Sequence, residues 1–286
     1  MTVETFTDAR HPAPGRLALK LTPKPREGRI RLVSADASRL LLPIVLLLIW
    51  QGACSFGFVG PRTLESPLTV AQTLVELTAS GVLWESLVAS FKRAGLGFLI
   101  GGGLGLLLGV VAGLSRTGER AYDALLQMLR MVPFLAVIPL FVIWFGVDEE
   151  PKILLIALAC IFPVYLNTFS GVRNVDPKII EAATVFGMRR SAIATQIVAP
   201  LALPSIMVGI RYAMGVALLS LVAAEQVNAT SGIGYLALNP RASLRTDIIL
   251  GVVLLYSVLG LFVDFLIRTA QDRLLPWHRT ILEKAR

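Results

Sequence analysis

The stretch Ala94-Gly-Leu-Gly-Phe-Leu-Ile-Gly-Gly-Gly-Leu-Gly-Leu-Leu-Leu-Gly-Val-Val-Ala-Gly-Leu-Ser115 contains no charged side chain. About 20 apolar residues in a helix cover the roughly 30 Å hydrocarbon layer of a bilayer. A run of this length and composition reads as a membrane crossing, since a soluble core would be interrupted by charge. Within it Gly97, Gly101, Gly105, Gly109 and Gly113 recur every fourth residue and stack on one helix face. In lipid such a stripe lets another helix approach closely, because packing replaces the missing hydrophobic drive. The spacing leaves open whether that helix belongs to this chain or to a second copy.

The same absence of charge recurs over Leu40 to Pro61, Met131 to Val147, Ile153 to Val172, Ser191 to Ile210 and Ile248 to Val263. Together these runs predict an all-α membrane protein with six transmembrane helices. Hydrophobic residues make up 55% of the chain and charged ones 16%, with a mean hydropathy of +0.71, a balance too apolar for a soluble globule of 286 residues. If the N-terminus is cytoplasmic, the inner segments carry 19 Lys and Arg against 4 in the outer loops. The bias predicts that both termini face the cytoplasm. The net charge of +8 is then a matter of topology and anionic lipid headgroups, so nucleic-acid binding is not expected. The chain divides into a basic tail (1–39), a transmembrane domain (40–270) and a C-terminal tail (271–286), with no apolar stretch in the first tail that suits a cleavable signal.

Along the chain, Thr69 to Leu77 reads as a short amphipathic helix on the outer face. Lys92 and Arg93 are expected to snorkel at the outer end of the second crossing. Pro133 and Pro139 should bend the third, placed at 125–146. The apolar, Gly-broken segment Ser231 to Leu236 could dip back toward the membrane or cover a pathway mouth. Asp264 and Arg268, four residues apart, can pair on one face. Cys54 and Cys160 read as small hydrophobes, and the two histidines lie in the tails, so no metal site is expected.

One polar interruption stands out, the fourth-to-fifth connection at 173–196. Asp176-Pro177 opens a helix, and Gly187 breaks or caps it. Inside it lies Glu181-Ala182-Ala183, three residues, Gly187, nine residues, Ile197, one residue, then Ala199-Pro200. This pattern resembles the cytoplasmic loop signature of membrane subunits of bacterial ABC importers, with Ala199 in place of the usual Leu. Gln127 to Pro133, Trp144-Phe-Gly, Pro204 to Arg211 and Ser231 to Ala237 are similar to the nitrate, taurine and sulfonate branch of these permeases, and most similar to its aliphatic sulfonate subunit.

The resemblance implies a permease of the type I importer fold in the bacterial inner membrane, working as a homodimer. It implies a cytoplasmic ATPase dimer that binds ATP and Mg and takes the Glu181 helix into a groove, and an outer substrate-binding protein. Glu181, Ala182, Ala183, Gly187, Ile197 and Pro200 would form or shape that docking segment. No cofactor is expected in this chain, since no Gly is followed by Lys and no phosphate loop exists. No nucleophile and base pair can be nominated, so the chain is expected to be a transport subunit and not an enzyme.

Charges that a membrane penalises are the candidates for a pathway: Arg130, Arg211 and Glu225. A guanidinium facing an aqueous cavity would lower the barrier to a permanent anion. Arg211 could equally pair with a carboxylate, Arg130 could lie at the headgroups, and Glu225 could serve gating, docking of a binding protein or a helix end. Taurine or a nitrate- or bicarbonate-type anion is the alternative cargo. An ion-gradient-driven transporter or a scaffold without transport is the alternative class, the former calling for intramembrane carboxylates, of which only Asp264 is a candidate.

Overall fold

The computed structural model describes residues 32–60, 63–227, 229–238 and 245–275, and among them every regular element is helical. In chain order these are α1 (Leu32–Ser55), α2 (Pro67–Ala79), α3 (Val82–Leu114), α4 (Arg116–Leu129), α5 (Phe134–Phe145), α6 (Glu150–Arg173), α7 (Pro177–Val185) and α8 (Arg190–Ile193). A π-helical turn at Ala194–Val198 then leads into α9 (Ala199–Glu225), followed by α10 (Ile233–Leu238) and α11 (Thr246–Leu274). The chain forms two units, Met1–Leu48 and Ile49–Arg286, and the helix bundle belongs to the second. Most of both expected tails, with the charges at Arg62 and Arg241, lies outside the described residues.

Four helices are long and apolar enough to cross a membrane: α3, α6, the continuous Arg190–Glu225 and α11. One of the remaining two expected crossings differs from a simple span. The segment 125–146 is broken, with Tyr122–Leu129 and Phe134–Phe145 meeting at 102°. The cause is Pro133, which lacks an N–H and drives Val132 out of the helical region. Ahead of it α4 winds down in tightened turns, Met131 N–H donating to the Met128 carbonyl and Val132 N–H to that of Leu129, both at 3.1 Å. Pro139 sits inside α5 without ending it. The first expected crossing falls on α1, whose apolar part is Leu41–Ser55.

The core is a seam between α3 and α6. A Cβ added at Gly97 would lie 2.7 Å from Ile156 Cβ, one at Gly109 the same distance from Thr168 Cβ, and one at Gly113 2.6 Å from Val172 Cβ. At Gly101 it would run into the Ala157 carbonyl, and at Gly105 it would come 2.5 Å from that of Ile161. The five-glycine stripe therefore faces α6 of its own chain, backbone against backbone. Gly171 and Gly209 do the same between α6 and α9, against Ser205 and Asn167. Leu155, Ile156, Cys160 and Val164 of α6 pack with Ala213, Ala217, Leu221 and Ala224 of α9 behind these contacts.

Shorter helices close the bundle. In α2 the Ser66 hydroxyl accepts from Thr69 N–H at 3.1 Å, with Pro67 at the first helical position. The Thr73 hydroxyl donates to Asp247 Oδ2 at 2.6 Å, tying α2 to the start of α11. The segment at Ser231 is tucked inward: Ile233 is fully buried, and with Leu236 it packs on Leu83, Ile248, Val252 and Leu259.

Candidate functional site

The loop after α6 is built to hold one short helix in a fixed pose. The Asp176 carboxylate accepts from Lys178 N–H at 2.9 Å and Pro177 occupies the first helical position, so α7 is capped as it begins. At its end Met188 N–H donates to the Ala183 carbonyl at 3.1 Å, and Gly187 N–H to that of Thr184 at 3.0 Å. This is a Schellman closure, which requires a left-handed residue between the two bonds. Gly187 supplies it at φ +77, with open space around its Cα. The constraint on Gly187 is thus conformational and not steric.

The loop has two faces. Val175, Ala183, Ile193, Val198 and Ala202 form a buried cluster with Ile180, Met188 and Ile197 against it. Ala183, expected at the docking surface, lies in this cluster at 6% exposure. Ile197 is half-buried behind it, and Pro200 stands in the first turn of α9. The outward face carries Glu181 and Ala182 together with Val185 and Phe186, each of the last two 85% exposed. Two large apolar side chains offered to solvent beside a carboxylate have the character of a contact surface. The sequence reading missed both, although they fall within the Glu181 to Gly187 interval it singled out.

The three pathway candidates lie in three places. Arg130 caps the end of α4 and lines an apolar cleft of about 620 Å³ between α5, α6 and α9, with Phe134, Phe141, Trp144 and Phe162 in its walls. Arg211, near the middle of α9, opens onto a second groove of about 480 Å³ between α9 and α11. Its Nη2 lies 2.5 Å from Asp264 Oδ1, and Arg268 Nε donates to Asp264 Oδ2 at 2.7 Å. Val216 and Leu219 of α9 line both grooves, so the ridge they form separates them.

Glu225 opens onto neither groove. It is 1% exposed and accepts from the Ser90 hydroxyl at 2.6 Å, from Arg93 Nη1 at 2.8 Å and from Gly234 N–H at 2.7 Å. Arg93, expected to snorkel, is 3% exposed. It also donates to the Ser231 carbonyl at 2.6 Å and places Nε and Nη2 on Glu149 at 2.5 and 2.9 Å. The buried ammonium of Lys152 reaches the Asp148 carbonyl and Glu149. Two cations and two carboxylates thus balance where α3, α6, α9 and the α10 segment meet. The hydrogen bond from Arg93 holds the Glu149 carboxyl below the usual carboxylate range. A Cβ at Gly232, whose φ is +130, would run into the Glu225 carboxylate. A signal for Arg93 existed: it stands four residues ahead of Gly97, on the face that the glycine stripe buries. Among the described residues no three His, Cys, Asp or Glu side chains come together to hold a metal.

Comparison with known proteins adds to this geometry. The pattern of the family described as "Binding-protein-dependent transport system inner membrane component" matches residues 103–276. The chain is similar to two proteins named putative aliphatic sulfonates transport permease protein SsuC. It is 44% identical to the one from Bacillus subtilis (strain 168), over 84% of this chain and 87% of that protein. It is 46% identical to the one from Escherichia coli (strain K12), over 83% and 90%. The taurine transport system permease protein TauC of Escherichia coli (strain K12) is 34% identical over 82% and 87%. Among solved structures, a chain of an amino acid ABC transporter superposes with a TM-score of 0.60 at 18% identity, covering 70% of this chain and 97% of that one. That likeness speaks to the fold.

Proposed function

The chain belongs to the family of inner membrane components of binding-protein-dependent transport systems, and from that premise we propose that it is the translocation subunit of an ATP-driven importer of aliphatic sulfonates. It is a multi-pass protein of the bacterial inner membrane. Two copies form the pathway, an outer binding protein delivers the anion, and a cytoplasmic ATPase dimer binds ATP and Mg and drives the cycle.

One observation carries the mechanical part. The exposed face of α7 is fixed by the Gly187 closure to a helix that continues, through the π-helical turn, from Arg190 to Glu225. A partner that takes hold of Glu181, Val185 and Phe186 therefore pulls on a rod lining both grooves. A packed helix end transmits displacement better than a loose loop, because packed cores switch between arrangements rather than bend continuously. The cargo follows from the relatives: both sulfonate permeases stand at 44–46% identity, above the taurine permease at 34%. A sulfonate stays anionic at every physiological pH, so Arg130 and Arg211 are the side chains suited to ease its passage.

The test is uptake of labelled alkanesulfonates by the assembled importer in proteoliposomes, with ATP inside. Uptake is expected only with binding protein, ATPase and this subunit together. Transport of taurine or nitrate in preference to butanesulfonate would move the assignment within the family. Transport driven by an ion gradient without ATP would overturn it.

A further inference from the structure

Resting on the importer reading for the identity of its ligand, we infer that the groove between α9 and α11 is a binding station for the transported anion. Arg211, whose carboxylate partner Asp264 is shared with Arg268, receives the sulfonate, and the groove floor around Gly215 and Gly260 receives the alkyl chain.

The charge comes first. Arg211 and Arg268 share the one carboxylate of Asp264, which leaves the triad at net +1. Among the described residues neither guanidinium has a second carboxylate partner. A guanidinium carries five N–H donors, and each here points one nitrogen at Asp264. Both remain substantially open, with side chains 40% and 64% exposed. Arg211 lies about 18 Å along α9 from Ala199 at 1.5 Å per residue, well inside the crossing. A net cation at that depth is costly against hydrocarbon and needs water or an anion beside it.

The floor is the independent observation. The glycines of the α3 seam are filled by backbone and side chains of α6, whereas Gly215 and Gly260 have nothing within 4 Å of an added Cβ. Both line the groove, together with Val208, Val216 and Val263. They keep a smooth apolar channel open that no part of the described chain fills. An apolar channel of about 480 Å³ lined by Arg211, whose carboxylate partner Asp264 is shared with Arg268 outside the lining, matches an oxyanion on an alkyl chain. Two molecules share that chemistry, an alkanesulfonate and an anionic phospholipid. The cargo of the relatives commits the site to the sulfonate.

The full-length protein in phosphatidylcholine nanodiscs is titrated with ethane-, butane-, hexane- and octanesulfonate. Affinity is expected to rise about threefold to fourfold per methylene while the chain still has groove to fill. Arg211→Gln should weaken every member at least tenfold and keep the chain-length slope. Asp264→Asn, which frees both guanidinium groups, should tighten binding, whereas a purely structural ion pair predicts loosening or none. Gly260→Leu, which meets open space, should flatten the slope with the fold intact, as thermal unfolding will report. Four results would overturn the site: a flat series in the wild type, binding unchanged in Arg211→Gln, a co-purifying phosphatidylglycerol that octanesulfonate does not displace, or disulfide formation between two copies of Gly260→Cys that occludes the groove. Uptake separates this from the importer reading. Normal sulfonate uptake by an Arg211→Gln importer sinks the station alone, while absence of uptake by the wild-type importer sinks the broader assignment.

Discussion

Glu225 has no route to solvent, so every one of its interactions has to be satisfied by the protein. Ser90, Arg93 and the Gly234 amide do this, and Arg93 in turn serves Glu149 and the Ser231 carbonyl. Removing one member of a buried charge pair leaves the other uncompensated, at a cost of about 3–5 kcal/mol. Glu225→Ala is therefore expected to lower the unfolding free energy in detergent by that order, and Glu225→Gln by less because its one remaining oxygen keeps either the Ser90 or the Gly234 contact. The same network predicts a pH dependence. The Glu149 pKa is lower in the folded chain, so its contribution is present above the unfolded value of about 4.3 and is lost as pH falls through the folded pKa. Melting as the pH falls below about 5 should show this loss, and Glu149→Gln should remove that part of the profile. The side chain is half exposed, which screens the effect. Arg93 was misread in the sequence because Lys92-Arg93 at the edge of an apolar run has the usual look of an interfacial anchor. Its carboxylate partners come from positions 149 and 225, which no local spacing connects.

At the scale of elements, the glycine seam tests itself. Gly101→Ala places a methyl on the Ala157 carbonyl and should force α3 and α6 apart, costing on the order of 1–3 kcal/mol. Gly103→Ala, two residues away with nothing within 4 Å, should be close to neutral in the same unfolding measurement. The Gly187 closure makes a different prediction. Gly187→Ala meets no neighbour but costs about 1–2 kcal/mol for the left-handed backbone. That cost falls on the loop, so hydrogen exchange at Met188 should quicken while global unfolding changes little. Period-four glycines and a Pro–Gly-bounded polar insert were legible because both are local patterns. The 102° break at Pro133 was legible only as a bend, since Pro139 and Pro163 carry the same local signal and leave their helices whole.

Over the whole molecule, the proposed docking face and the two grooves are joined by one continuous helix from Arg190 to Glu225. Glu181→Lys or Phe186→Asp changes only exposed atoms, so the fold should persist while recovery of the ATPase with a tagged permease falls at least tenfold. Unchanged recovery would detach α7 from the motor. Composition and hydropathy by themselves determined that this is an all-helical membrane protein. Partition into lipid and helix periodicity are properties of short stretches, which is why they sufficed; the importer family came from the resemblance that the Glu181 motif carries. Only the tertiary structure decided that the glycine stripe meets α6, that Ala183 faces inward while Val185 and Phe186 face outward, and that Arg130, Arg211 and Glu225 part into a cleft, a groove and a buried network. Each of those facts depends on which distant segment fills the space beside a residue, and that is settled when the helices pack.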